Sequence, residues 1–222
     1  MLSELFFKIL MIGLPVMIAI TFHEAAHGFV AYLRGDDTAY RLGRVSFNPI
    51  RHIDPVGTLL IPGILLLSQA PFLFGYAKPV PVVFERLKNP RLDTIWVAAA
   101  GPLTNILLAI LSAFILKNLT TDSSFYLIEM MKTSLYINVI LAAFNLLPIL
   151  PLDGGRIVVA LLPQRLAQQI SGLERWSMAI LIGGLMILPL VLTSLGIHFS
   201  PMMWLLEGPI DGLLKGIEFI TR

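Results

Sequence analysis

The segment ILMIGLPVMIAITFHEAAHGFVAYL, residues 9–33, is apolar over a length that can cross a membrane, yet it carries two histidines and a glutamate. His23, Glu24 and His27 are its only acidic, basic or imidazole side chains. Residues four apart lie one above the other on a helix face, because the helix turns once every 3.6 residues. His23 and His27 can therefore present their imidazole nitrogens to a single point beside the helix.

This pattern indicates a metal site inside the apolar segment. Two histidines at this spacing can bind one zinc ion, with the intervening glutamate beside the metal as a general base. The alternative is a pair of core histidines whose nitrogens are hydrogen-bonded within the protein. That alternative also requires a buried partner for Glu24, because an unpaired carboxylate in an apolar setting is costly. The metal interpretation is therefore favoured.

The composition is that of a membrane protein. Of the 222 residues, 56% are hydrophobic and only 14% are charged, whereas charged residues make up about a quarter of a soluble domain. The chain has no cysteine, so disulfides are excluded and a metal site must use His, Asp or Glu. A net charge of +2 is too small to indicate a nucleic-acid partner.

Four apolar stretches are long enough to span a bilayer. They run from about Phe6 to Leu33, from Thr94 to Leu116, from Thr133 to Leu152, and from Trp176 onward in an uncharged run that ends only at Glu207. The last run is longer than one crossing needs, and Pro189 and Gly196 are candidate breaks within it.

The stretch from Gly57 to Phe74 is also apolar, but Pro62, Gly63 and Pro71 interrupt it, as in segments that enter a bilayer and return. Four arginines lie in residues 34–56 and four Lys or Arg residues lie in residues 75–92. Loops rich in Lys and Arg remain cytoplasmic, so we expect both flanks on that side. The N-terminus is then outside, and the histidine motif lies towards the cytoplasmic face.

These features predict an all-α membrane protein. The expected fold is a polytopic bundle of about four core transmembrane helices, with a re-entrant, partly extended segment between the first two.

From Pro209 onward, apolar residues recur on one face, which predicts a C-terminal amphipathic helix; they are Ile210, Leu213, Leu214, Ile217 and Ile220. Such a helix lies in the membrane interface or packs on the bundle. We expect one domain over residues 1–222, with a core at 6–198 and the C-terminal interfacial helix at about 199–222.

Asp153 is the best candidate for a third metal ligand. Hydrolytic zinc sites usually have three protein ligands and one open position. Asp153 follows the uncharged Thr133–Leu152 run, at the same side of the membrane as the histidine motif in this topology. Gly154 and Gly155 follow it and permit a close backbone approach. The alternative is an aspartate that only caps a helix.

Three motifs together resemble the site-2 protease family of intramembrane zinc metalloproteases. They are the histidine motif at residues 23–27, GPLTN at residues 101–105, and NLLPILPLDG at residues 145–154. GYAKPVPV at residues 75–82 is similar to a segment of the short bacterial branch, which lacks a PDZ domain. The resemblance covers about residues 9–200.

This resemblance implies an endopeptidase that uses one Zn²⁺ ion to cut transmembrane segments of membrane proteins. His23, His27 and Asp153 would hold the metal, and Glu24 would take a proton from the attacking water. Asn145 and Asn105 are the candidate substrate-binding or oxyanion-stabilising residues. For each asparagine the alternative is a hydrogen bond between helices.

Two other classes of function remain open from the sequence. Intramembrane His and Asp also suit a divalent-metal transporter, and a catalytically inactive scaffold is the other alternative. The single histidine pair and the intact Glu24 argue against both. The expected location is the cell membrane, as a multi-pass protein, with the bilayer and a transmembrane protein or peptide as partners.

Overall fold

The computed structural model describes residues 2–67, 75–120, 123–172, 174–197 and 199–222. Within these ranges the chain is helical and contains no strand. The α-helices are α1 (Leu2–Leu33), α2 (Thr38–Arg41), α3 (Ile61–Leu67), α4 (Pro90–Asn118), α5 (Phe125–Asn145), α6 (Asp153–Leu161), α7 (Gln164–Ser171), α8 (Glu174–Ile182), α9 (Leu188–Ser194) and α10 (Pro201–Ile220). Short 3₁₀ turns occupy Pro49–His52 and Phe84–Arg86, and π-helical turns occupy Pro55–Leu60 and Gly183–Ile187.

Three of these helices are long and apolar enough to cross a membrane: α4, α5 and the Leu10–Leu33 part of α1. They pack against one another in all three pairings. Small residues dominate the buried positions, with Ala19 on α1, Ala98 and Ala109 on α4, and Ala142 on α5. Small side chains allow the close helix approach on which packing depends in a membrane. The all-helical membrane fold predicted from the sequence is confirmed.

The third span is shorter than the sequence predicted. Helix α5 ends at Asn145, whereas the uncharged run continues to Leu152. Pro148 and Pro151 explain the difference, because a proline lacks an amide donor and biases the residue before it away from the helical conformation. Asp153 therefore begins the new helix α6, after a turn at residues 146–152.

The fourth predicted span is an interrupted helix. Residues 174–194 form α8, the π-helical turn Gly183–Ile187 and α9, so the helical pitch changes within the run. The predicted breaks are present: Pro189 lies at the start of α9, and Gly196 follows its end with a φ of 77°. The run does not contain a regular helix of spanning length among its described residues, so four crossings stay a prediction.

The loops that flank the predicted re-entrant segment lie together at the C-terminal end of α1. The Lys78 amide donates to the His52 carbonyl at 2.9 Å, and the Lys88 amide donates to the Arg34 carbonyl at 2.9 Å. Both flanks thus meet at one end of the bundle, which is the arrangement that a returning segment requires. Residues 68–74, the last part of the predicted re-entrant stretch with Pro71, lie outside the described residues.

Helix α10 packs on the bundle. Its residues Ile210, Leu213 and Ile217 surround Ala109 of α4 and Val139 of α5. The helix begins at Pro201, eight residues before the predicted amphipathic stretch, and the Ser200 hydroxyl caps it by accepting a bond from the Met203 amide. The apolar face seen in the sequence therefore has a partner within the protein, which is the packing alternative for this helix.

Candidate metal centre and active site

The structure brings His23, His27 and Asp153 together. The two histidines lie on one face of α1, and Asp153 reaches them from the first residue of α6. The two Nε2 atoms are 3.0 Å apart. The Asp153 Oδ2 atom lies 3.3 Å from His23 Nε2 and 3.4 Å from His27 Nε2. These three atoms form a nearly equilateral triangle, and among the described residues they are the one group of His and acidic side chains with this arrangement.

This triangle has the size that zinc requires. With zinc bonds of about 2.0–2.1 Å in tetrahedral geometry, neighbouring ligand atoms are about 3.3 Å apart. The measured separations of 3.0, 3.3 and 3.4 Å match that edge. Asp153 Oδ2 is also buried and accepts no hydrogen bond. A buried carboxylate oxygen without a donor is costly, and a cation at the centre of the triangle would satisfy it.

Hydrogen bonds on the far side of each ring orient the imidazoles towards this point. His27 Nδ1 donates to the Val97 carbonyl of α4 at 2.7 Å. His23 Nδ1 lies 2.6 Å from Oδ1 of Asn105, also on α4. A neutral imidazole that carries its proton on Nδ1 leaves the Nε2 lone pair free to bind a metal. Both rings therefore turn a lone pair towards Asp153.

Gly101 on α4 is what allows the two rings to meet. A Cβ atom at this position would lie 2.5 Å from His23 Cε1 and 2.5 Å from His27 Nε2. Real Cβ contacts are never this short, so any side chain at Gly101 would displace one of the rings. The glycine of the GPLTN motif thus provides the space for the candidate metal ligands.

Glu24 lines a cavity of about 260 Å³ together with His23, His27 and Asp153. Its Oε2 atom accepts a hydrogen bond of 2.8 Å from the Val80 amide. Val80 belongs to residues 75–83, the non-helical first part of the second flanking loop. This bond fixes the glutamate beside the histidines and brings residues 75–83 to the candidate site.

The two asparagines occupy different environments. Asn145 lines the cavity, and its Nδ2 atom donates to the Leu141 carbonyl of its own helix at 3.0 Å. Asn105 is fully buried and bonds to His23, to the Ala19 carbonyl at 3.2 Å and to Asn138 at 2.8 Å. Asn105 thus makes the interhelical hydrogen bonds of the alternative interpretation, whereas Asn145 remains accessible to a substrate.

Three participants were not identified from the sequence. The Val80 amide contacts Glu24, Asn138 contacts Asn105, and Arg156 lines the cavity. Arg156 pairs with Glu174 at 2.9 Å, and its guanidinium carbon lies 5.1 Å from the centre of the Phe84 ring. Nothing in the local sequence distinguishes a backbone amide or a mid-helix asparagine, whereas Arg156 lies two residues after the third motif, which ends at Gly154.

Comparison with known proteins is consistent with this site. The model of Peptidase family M50 matches residues 119–190, which contain Asp153 and the turn before it. A protein of Bacillus subtilis (strain 168) named "Putative zinc metalloprotease YwhC" is 36% identical over 210 residues, which cover 91% of this chain and 88% of that protein. No solved structure matches this chain significantly.

Proposed function

Because this chain belongs to peptidase family M50, the site-2 protease family, we propose that it is a zinc-dependent intramembrane endopeptidase. It would hydrolyse peptide bonds within transmembrane segments of membrane-protein substrates. The observation that carries this proposal is the triangle of His23 Nε2, His27 Nε2 and Asp153 Oδ2. The two histidines and Glu24 lie on α1, which is long and apolar enough to cross a membrane.

His23, His27 and Asp153 are the proposed holders of one zinc ion. When bound there, zinc supplies a Lewis acid that polarises a carbonyl oxygen and makes water acidic near neutral pH. The protein itself holds the three ligand atoms in place. The bonds from the ring Nδ1 atoms to Val97 and Asn105 do this, because they fix both the proton position and the direction of each imidazole.

Glu24 is the proposed general base. Its carboxylate would take a proton from the attacking water and deliver it to the amine that leaves when the peptide bond breaks. The Val80 amide holds one carboxylate oxygen, which leaves the other oxygen for proton transfer. Asn145 lines the same cavity, and its amide group is the proposed donor to the substrate backbone or to the developing oxyanion.

The extended residues 75–83 are the proposed docking edge for the substrate. Pro79 and Pro81 keep this stretch extended, because proline fixes φ and lacks an amide proton. A transmembrane helix hides its peptide bonds in its own hydrogen bonds, so it must unwind before it can be cut. Pairing with an extended edge provides new partners for the unwound backbone and places it next to Glu24.

The proposed location is the cell membrane, with the active site towards the cytoplasmic side. His23 lies ten residues from the end of α1 at Leu33, a distance of about 15 Å along the helix. Loops with several arginines and lysines surround that end of the helix. Lys and Arg mark cytoplasmic loops, so water would reach the site from inside the cell.

The test is cleavage of a model transmembrane substrate by the purified protein in lipid vesicles. We expect cleavage within the substrate's apolar segment, loss of cleavage after zinc chelation, and recovery when zinc is added back. Zinc uptake into the vesicles without cleavage would instead indicate a transporter. Neither cleavage nor uptake by zinc-loaded protein would indicate a scaffold, and either result would overturn the proposal.

A further inference from the structure

A chain of buried hydrogen bonds leads from His23 across three helices to Asn138 on α5. Asn105 and Asn138 are both fully inaccessible to solvent. Their side chains are joined by a bond of 2.8 Å from Asn105 Nδ2 to Asn138 Oδ1. Asn105 in turn meets His23 through its Oδ1 atom at 2.6 Å. Buried polar side chains at this depth of an apolar bundle are costly unless every group is paired.

The direction of each bond in this chain is determined by a backbone carbonyl at its far end. The Ser134 carbonyl can only accept, so the atom of Asn138 that lies 2.8 Å from it must be the amide nitrogen. The Asn138 oxygen then faces Asn105 and requires a donor there. The Ala19 carbonyl makes the same demand on Asn105 Nδ2 from the other side, at 3.2 Å.

The orientation of Asn105 determines the proton position on His23. With its nitrogen engaged by Asn138 and Ala19, Asn105 can turn only its oxygen towards His23. That oxygen accepts the Nδ1 proton, so the neutral ring has its lone pair on Nε2. This is the nitrogen that lies 3.3 Å from Asp153 Oδ2.

We propose that Asn138 is a positioning residue for the metal centre, which acts through Asn105 to select the zinc-binding tautomer of His23. This inference rests on the proposed zinc site. It assigns to Asn138 a role in metal affinity, although the residue lies on a different helix from all three candidate ligands and contacts none of them. Outer-shell partners of metal-binding histidines contribute on the order of 10- to 100-fold to metal affinity.

Zinc affinity measured by competition with a chelator tests the proposal on the purified protein. Asn138→Leu removes the acceptor for Asn105, and we expect zinc binding to weaken about tenfold, at the lower end of the outer-shell range. Asn138→Asp should restore most of the affinity, because a neutral carboxylic acid offers an oxygen to Asn105 and an O–H group to the Ser134 carbonyl. Asn138→Ala replaces Asn138→Leu if the leucine variant does not fold.

Thr133→Val is the matched control. Thr133 on α5 donates its hydroxyl proton to the Glu129 carbonyl of its own helix at 2.8 Å, outside the His23–Asn105–Asn138 chain. This variant removes a half-buried hydroxyl from the same helix as Asn138 and should keep the wild-type zinc affinity. An equal loss of affinity in Thr133→Val and Asn138→Leu would overturn the proposal, and so would a wild-type affinity in both Asn138→Leu and Asn138→Ala.

The imidazole ¹⁵N spectrum of zinc-free protein separates failure of this inference from failure of the zinc site. We expect the His23 ring to carry its proton on Nδ1 in the wild type and in Asn138→Asp, and to become a mixture of tautomers in Asn138→Leu. An unchanged tautomer in Asn138→Leu would overturn the role of Asn138. Absence of zinc binding in the wild type would overturn the proposed function, while the tautomer result would still test whether Asn138 acts through Asn105 on His23.

Discussion

Asp153 presents a buried carboxylate oxygen to the Nε2 atoms of two imidazoles whose Nδ1 atoms lie against oxygen acceptors. When both rings carry their proton on Nδ1, three lone pairs face one another, and a cation or an extra proton relieves the electrostatic repulsion among them. The residue also begins a helix, where a carboxylate is favoured by the unpaired amides of the first turn. The cap position of α6 is Leu152 and no side chain caps this helix by a hydrogen bond, so Asp153 does not act as its cap.

Asp153→Asn should weaken zinc binding by at least about 100-fold, because a neutral amide is a poorer ligand than a carboxylate and an outer-shell change alone costs up to about that much. Cleavage should fall in parallel. Zinc content by elemental analysis and cleavage of a transmembrane substrate measure the two effects. Full zinc content together with normal turnover would show that the third ligand lies elsewhere.

Asp36, just beyond α1, holds the non-helical residues 75–83 in place through Val83. Its Oδ2 atom accepts from the Val83 amide at 2.7 Å, and its Oδ1 atom accepts from the Thr38 amide at 3.1 Å. Burial raises the pKa of this carboxyl group, but hydrogen bonds from Thr38 and Val83 outweigh that effect and lower the pKa below its ordinary value of 3.8. Ionised Asp36 therefore stabilises the fold.

Asp36→Asn should lower the free energy of unfolding by about 1–3 kcal/mol near neutral pH, since it turns an amide N–H group towards buried donors. The wild-type contribution is complete above pH 3.8 and is lost as the pH falls through the lowered pKa of the folded state. The difference between the two proteins should thus shrink in acid. Thermal unfolding in detergent across this range is the measurement, and a difference that grows towards low pH would contradict the role of Asp36.

At the scale of helices, the approach of α1 to α4 decides whether the site can form. Gly101 lies against both histidine rings, and a methyl group there would occupy the space of the imidazoles. The helix pair is packed through small residues along its length, so neither helix can move away without opening the interface. The candidate metal centre and the packing of these two helices therefore depend on the same glycine.

Gly101→Ala should cost about 1–3 kcal/mol of stability through overpacking and should also reduce zinc affinity, because one ring must leave its place. Gly13→Ala is a suitable control on α1, since a Cβ atom there would meet nothing within 4 Å. The control should keep both properties. Unchanged zinc affinity in Gly101→Ala would contradict the tight placement of the rings.

Sequence reasoning succeeds where one helix carries the information. The spacing of His23 and His27 predicts a shared face, and the charge-free run predicts the position of α4. It fails for contacts between distant parts of the chain, such as the pairing of Asn105 with Asn138 on a different helix. The end of α5 at Asn145 has a local cause, Pro148 and Pro151, because the absence of charge does not mark where a helix ends inside an apolar run.

At the scale of the whole molecule, the proposed three-ligand site requires residues 34–56 and 75–92 to lie on one side of the membrane. The two loops are hydrogen-bonded to each other at the end of α1. One additional crossing between them would separate them by a hydrocarbon core about 30 Å thick. Asp153 and the histidines could then not share one ion, so the topology and the three-ligand site depend on each other.

Single cysteines in this cysteine-free chain test that topology. Leu42→Cys and Lys88→Cys are at exposed positions of the two loops, and Thr120→Cys lies beyond the opposite end of α4. An impermeant thiol reagent should label the first two from the cytoplasmic side and the third from the outside. Labelling of Leu42→Cys and Lys88→Cys from opposite sides would refute the common side and, with it, the site.

Glu24→Gln separates the two proposed tasks of the site, in which His23, His27 and Asp153 hold zinc and Glu24 transfers the proton. Glutamine keeps the shape of the side chain and cannot act as a base. Zinc content and cleavage of a transmembrane substrate should be measured on one preparation, beside the wild type. We expect wild-type zinc content with cleavage reduced by about 10²- to 10⁴-fold. Cleavage at the wild-type rate, or loss of zinc in proportion to activity, would refute this division of roles.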